Sequence, residues 1–123
     1  MRIRLTKARG PFQRESTTNL QTLEGEGARG RGDEARFLMA RALMREGTMS
    51  SQDKAIEELR AITAEVRSVP MASKAFTLLG IIYFKQGQLN RSLDAFNRAL
   101  ELDPSNTEAF QNRRSVADRL ENG

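Results

Sequence analysis

Cysteine and histidine, which carry much of side-chain chemistry, are both absent from the 123 residues. Their absence removes thiol nucleophiles, imidazole general bases, disulfides and the commonest zinc ligands together. The carboxylates are plentiful, 16 Asp and Glu, yet each falls at a helix-surface or capping position. None forms an isolated pair in apolar surroundings that would raise a pKa for acid–base work. The expectation is therefore no catalytic residue, no cofactor and no metal: not an enzyme. Three short motifs invite chemistry and have plainer readings. Gly25-x-Gly27-x-x-Gly30 fits a dinucleotide fingerprint, but that turn works between a strand and a helix of a parallel sheet. No second strand follows and Glu26 repels phosphate, so a flexible linker is the reading. Arg31-Gly32-Asp33 spells an adhesion tripeptide with nothing to indicate secretion. Asn90-Arg91-Ser92 fits a glycosylation sequon but starts a packed helix.

Cations are the remaining functional groups, and they are unevenly placed. Residues 1–32 hold seven Arg or Lys against three Glu, which is the whole of the chain's net +4; residues 33–123 balance at thirteen of each sign. The first segment, with GEGARGRG at 25–32 and few apolar residues, reads as an extended or disordered arm. Arg2, Arg4, Lys7, Arg9 and Arg14 are its candidate contacts, toward a protein partner or toward phosphates of a nucleic acid or anionic lipid. Phe12 is the only aromatic there for stacking on a base. An acid-free basic start also suits an organelle-targeting leader. The longest apolar run, Ala75 to Phe84, is too short for the roughly 20 residues that a membrane span needs.

From Asp33 onward the apolar spacing turns helical. Phe37, Ala40, Leu43 and Met44 form one stripe, with Asp33-Glu34 at its positive end. Gly47 closes that helix, and Ser50-Ser51 offers an N-cap to a second stripe: Ala55, Ile56, Leu59, Ile62 and Val66, ended by Pro70. Ala75, Phe76, Leu79, Ile82 and Tyr83 make a third, which Gly87 ends in a left-handed conformation. Leu89, Leu93, Phe96, Ala99 and Leu100 make a fourth, stopped at Asp103-Pro104. A last helix runs from about Thr107 to Leu120, with Ser105 and Glu108 spaced as a capping box. Its inward face is expected to be Ala109, Phe110, Val116, Ala117 and Leu120. Gly80 lacks a Cβ where Ser92 and Ala99 face it, a close approach that offsets the roughly 1 kcal/mol that glycine costs inside a helix.

Residues 73–106 resemble a tetratricopeptide repeat: Phe76, Leu79-Gly80, Tyr83, Ser92, Phe96, Ala99 and Pro104 occupy its signature places. Residues 33–70 resemble a divergent repeat, with Met39-Ala40, Leu43, Ala55, Leu59 and Ile62 at the matching positions. Arg113-Arg114 stand where a further repeat would have Leu-Gly, so 107–123 reads as a solvating cap. The resemblance implies an all-α fold: two helical hairpins, 33–70 and 71–106, plus a capping helix, behind the arm 1–32. A looser likeness is to the mitochondrial fission adaptor family, which also pairs a divergent first repeat with a clearer second; the anchoring tail of that family has no counterpart here.

The resemblance also implies a non-catalytic protein–protein adaptor or assembly subunit. Its partner-binding groove is lined by the first helix of each repeat: Phe37, Arg41 and Met44, then Lys74, Thr77, Ile81, Phe84 and Lys85, with Glu108, Gln111 and Ser115 from the cap. Ile81 and Phe84 would bury an apolar segment, while Lys74, Lys85 and Arg41 orient its polar flanks. Some family members clamp a C-terminal carboxylate, but the matching places hold Phe37, Arg41, Leu78, Glu108 and Asn112, and Glu108 repels it. The alternative is an RNA- or ribonucleoprotein-associated protein anchored by the arm. Other proteins in a multi-subunit complex are the expected partners, in an intracellular, soluble setting, cytoplasmic or organellar. The open faces of so short an array would be covered by the arm, a second copy or a partner.

Overall fold

The computed structural model describes residues 26–123, with side chains from Gly32. Five helices follow one another: α1 (Glu26–Glu46), α2 (Met49–Ala64), α3 (Val69–Lys85), α4 (Leu89–Leu102) and α5 (Thr107–Asn122), with no strand among the described residues. The contacts divide the chain at Ala35–Arg36, and the compact unit Arg36–Gly123 holds every candidate groove residue. Residues 1–25, including the arm positions Arg2, Arg4, Lys7, Arg9 and Arg14, lie outside the described residues.

The helix starts correct several expectations. α1 begins at Glu26 and not at Asp33, so residues 26–32 are helical rather than extended. Glycine lowers helix propensity without forbidding helical angles. Gly27 and Gly30 thus sit inside a helix, not in a phosphate-binding turn. Gly47, at φ +75°, ends α1 as expected. The cap of α2 is Thr48 instead of Ser50-Ser51: its Oγ1 accepts from the Ser51 amide at 3.0 Å, and Ser51 Oγ accepts from the Thr48 amide at 3.1 Å. α2 then stops at Ala64, leaving Val66 exposed in the connection. Pro70 does not end that helix but stands in the first turn of α3, where an amide proton has no intrahelical acceptor to lose.

α3 and α4 form the clearest hairpin. Gly87, at φ +78°, closes α3 through two bonds, its own amide to Phe84 O at 3.0 Å and the Gln88 amide to Tyr83 O at 2.9 Å. Where the helices cross, a Cβ on Gly80 would lie 2.6–2.8 Å from the Phe96 ring. Phe96, and not Ala99, therefore fills the space that glycine leaves. Ser92 does face Gly80, and its Oγ donates to Gly80 O at 2.6 Å.

Two apolar clusters hold the unit. Ala40, Ala55, Leu59, Ile62, Ala75, Leu79, Ile82 and Ala95 join α1 through α4. Phe96, Ala99, Ala109 and Val116 join α4 to α5, and the half-buried Phe76 packs against both clusters. On α5 only Ala109 and Val116 are buried; Phe110 and Leu120 remain 45% and 40% exposed, and Ala117 is exposed. The buried residues repeat at a spacing of seven, one stripe, while 110, 117 and 120 fall on the next stripe round the helix. Arg113 lies on that second stripe. It donates to Asn97 Oδ1 at 3.1 Å and stacks on Phe110 at 5.6 Å, giving the helix a polar edge against α4.

Candidate partner-binding groove

Three residues of α3, Lys74, Thr77 and Ile81, share a face by their spacing of three and four. Phe37 and Arg41 stand one turn apart on α1, and Glu108 lies in the first turn of α5. All six line one open hollow of about 500 Å³, together with Pro70, Ser73, Leu78, Asp103 and Asn106. Its rim is charged: Arg41 and Lys74 come from α1 and α3, Asp103 and Glu108 from the far end. Among the described residues Arg41, Lys74 and Glu108 form no ion pair; the salt bridges run Arg36–Glu58, Arg67–Glu65 and Arg98–Asp94.

The polar floor of the hollow is already bonded. Asn106 caps α5, its Oδ1 accepting from the Ala109 amide at 3.0 Å. Its Nδ2 donates to Ser73 Oγ at 2.9 Å and to Thr77 Oγ1 at 3.0 Å. Ser73 Oγ donates onward to Ala99 O, and Thr77 Oγ1 to Ser73 O, both at 2.9 Å. One amide therefore ties the start of α5 to α3, and through Ser73 to the end of α4. Thr77, expected to meet a partner, is buried and holds α5 in place. The expected cap pair Ser105–Glu108 is not formed. Ser105 instead donates through its amide and hydroxyl to Asp103 Oδ1, at 3.0 and 2.7 Å.

A second, narrower hollow of about 180 Å³ opens between α3 and α5, lined by Ile81, Phe84, Phe96, Asn112, Ser115 and Val116. Ile81 belongs to both linings. Arg119 lies over the Phe84 ring at 5.2 Å from its centroid, a cation–π contact. Three expected groove residues stand elsewhere. Met44 packs against the first apolar cluster, because it continues the inward stripe of Phe37 and Ala40. Lys85 and Gln111 are exposed and line neither hollow. The residues that spacing does not point to are Asn106, Ser73, Asp103 and Arg119. Of these, Asn106 carries a signal: asparagine directly before a helical run is a preferred cap.

Among the described residues no three side chains of metal-ligating type converge, and no helix is long and apolar enough to cross a membrane. Comparison with known families matches residues 73–106 to the family described as tetratricopeptide repeat. These are α4 and most of α3 with the turn between them. The match does not reach the fission adaptors. No curated protein matches the chain.

Proposed function

We propose that this chain, which carries a tetratricopeptide repeat at residues 73–106, works without catalysis as a protein–protein adaptor or assembly subunit. The partner segment docks along α3, across the two hollows that meet at Ile81. The observation that carries the reading is chemical: four charges with no ion pair among the described residues, Arg41, Lys74, Asp103 and Glu108, rim a hollow whose floor hydroxyls are bonded internally. Charges in that state cost little in water and are available to groups of opposite sign on a partner. Beside them, Ile81 and Phe84 are half-buried and offer apolar area. Burying one such side chain contributes about 1.5–3 kcal/mol, less the cost of ordering the incoming segment. The basic residues of 1–32 supply a second attachment within the same complex.

Amine cross-linking in a native extract tests this directly, because the chain has four lysines in informative places. Lys74 rims the wide hollow, Lys85 lies outside it, Lys54 is on α2 and Lys7 belongs to the arm. Links to other proteins are expected to concentrate on Lys74 and Lys7. An even spread over Lys54 and Lys74 would remove the groove from consideration.

The basic excess in residues 1–32 favours a second reading, association with nucleic acid through the arm. Its signature is salt. Binding carried by several phosphate contacts weakens on the order of a thousandfold between 50 and 200 mM salt, whereas groove docking of an apolar segment changes little.

A further inference from the structure

α5 ends the array without the polar outer face that keeps a terminal repeat helix soluble. It packs on α3 and α4 through Ala109 and Val116, which leaves a second stripe open on its outer side. That stripe holds Phe110, Ala117 and Leu120, all exposed. With Arg113 they follow the spacing 110, 113, 117, 120, the alternation of three and four by which one helix packs lengthwise on another.

The order of the charges says what covers the stripe. The first half of this face is positive, with Arg113 and Arg114; the second half is negative, with Asp118 and Glu121. Arg113 is engaged by Asn97 and the Phe110 ring. Arg114, Asp118 and Glu121 form no ion pair among the described residues. A face in that order is complementary to itself reversed. We propose that α5 pairs antiparallel with α5 of a second copy of this chain, forming a twofold dimer. Arg114 meets Glu121 of the second copy, and the same contact is made again on the other side of the axis. A parallel pair would instead oppose Arg114 to Arg114 and Glu121 to Glu121.

The spacing fits that pairing. Residues 114 and 121 stand two turns apart, about 10.5 Å along one side of the helix. The twofold axis falls midway between them, beside Ala117, whose small side chain lets the two backbones approach. Leu120 flanks the axis, and Phe110 reaches the last turn of the second copy's α5. Arg119 lies on the opposite side of the helix, over Phe84, and takes no part. Asn112 and Ser115 also lie on that opposite side and line the narrow hollow. The pairing therefore neither uses the groove nor depends on groove docking, and the dimer carries two open grooves. A face of 16 residues, about 24 Å long and one helix wide, gives an interface below the roughly 1,200 Å² of most stable complexes. The dimer is accordingly weak and forms with rising concentration.

Sedimentation equilibrium of the full chain, from low micromolar to near-millimolar protein, is the test. A monomer–dimer equilibrium is expected. Arg114→Glu and Glu121→Arg should each weaken the dimer about tenfold, because the symmetry doubles every lost contact. An equal mixture of the two variants should recover it, since each supplies the charge that the other has lost. Ala117→Gln with Leu120→Gln changes two exposed positions and should leave a monomer of unchanged helix content. A wild-type monomer at every concentration would overturn the proposal. So would a dimer indifferent to all of these variants, which would place its interface elsewhere. Growth past the dimer into open chains would mean that α5 meets a different face of the next copy, and the twofold pairing would fall.

Discussion

The helix pairs α3–α4 and α1–α2 carry different residues at the places that the spacing of the sequence aligns. In α3–α4 a glycine, Gly80, lies under a phenyl ring, Phe96, with no room for a Cβ. In α1–α2 the matching places hold Ala40 and Leu59, both fully buried in one cluster. Ala40 keeps a methyl group in that cluster, where Gly80 has no room for one. Polar support differs too. Ser92 donates to Gly80 O and Ser73 to Ala99 O in the second hairpin. The first has Ala55 where the second has Ser92, and is tied on its outside by the exposed pair Arg36–Glu58 at 3.0 Å. Ala40 and Leu59 differ from Gly80 and Phe96 together, and a double-variant cycle tests whether the two differences are coupled.

The strongest way to break that comparison is to write one hairpin into the other. Gly80→Ala drives a Cβ into Phe96 and is expected to cost about 1–3 kcal/mol, net of the better helix propensity of alanine. Gly80→Ala with Phe96→Leu reproduces the Ala40–Leu59 pairing. The double variant should be at least about 1 kcal/mol more stable than the sum of the singles, a coupling readable from a urea denaturation cycle. Strict additivity would mean that the two crossings are unrelated.

Next in size is the joint between α4 and α5, for which the first hairpin has no counterpart. Asn106→Ala removes a helix cap and two donors at once, and about 2 kcal/mol should be lost in chemical denaturation. Asn106→Ser keeps a cap but cannot reach both Ser73 and Thr77, so it should fall between. The smallest contrast is in the capping of the second helices. Thr48 caps α2 with a reciprocal pair of bonds, whereas Gln88 makes no side-chain cap for α4. Thr48→Ala should cost about 1 kcal/mol, while Gln88→Ala should change the thermal midpoint very little.

Much of this architecture is legible in the sequence, for identifiable reasons. The stripes of the middle helices, the left-handed glycines 47 and 87 and the close approach at Gly80 are local signals, written within a few residues. Sequence and structure part where one local signal permits two structures. A proline marks a helix boundary equally well from either side, so Pro70 reads as an end although it begins α3. Glycines at 27, 30 and 32 argue against helix at 26–32 without excluding it. On α5 two adjacent apolar stripes compete, and only the packing of α4 decides that Ala109 and Val116 are buried while Phe110 and Leu120 are not. The site is legible to the same degree. Register places Phe37, Arg41, Lys74 and Ile81 together, but it has no means of showing that Thr77 is held by Asn106. Asn106 is 29 residues from Thr77 in the chain, and periodicity carries no information about such a pair.

Phe76 belongs to both apolar clusters. Repeat arrays behave as a row of coupled elements in which each repeat lends stability to its neighbour. Here Phe76 is one link in that coupling, beside the Asn106 bonds to Ser73 and Thr77, so loss of the α5 side weakens packing that the α2 side shares. Peeling from one end is therefore self-accelerating. The unit Arg36–Gly123 should melt in one cooperative transition, with its most slowly exchanging amides clustered on α3 around this residue.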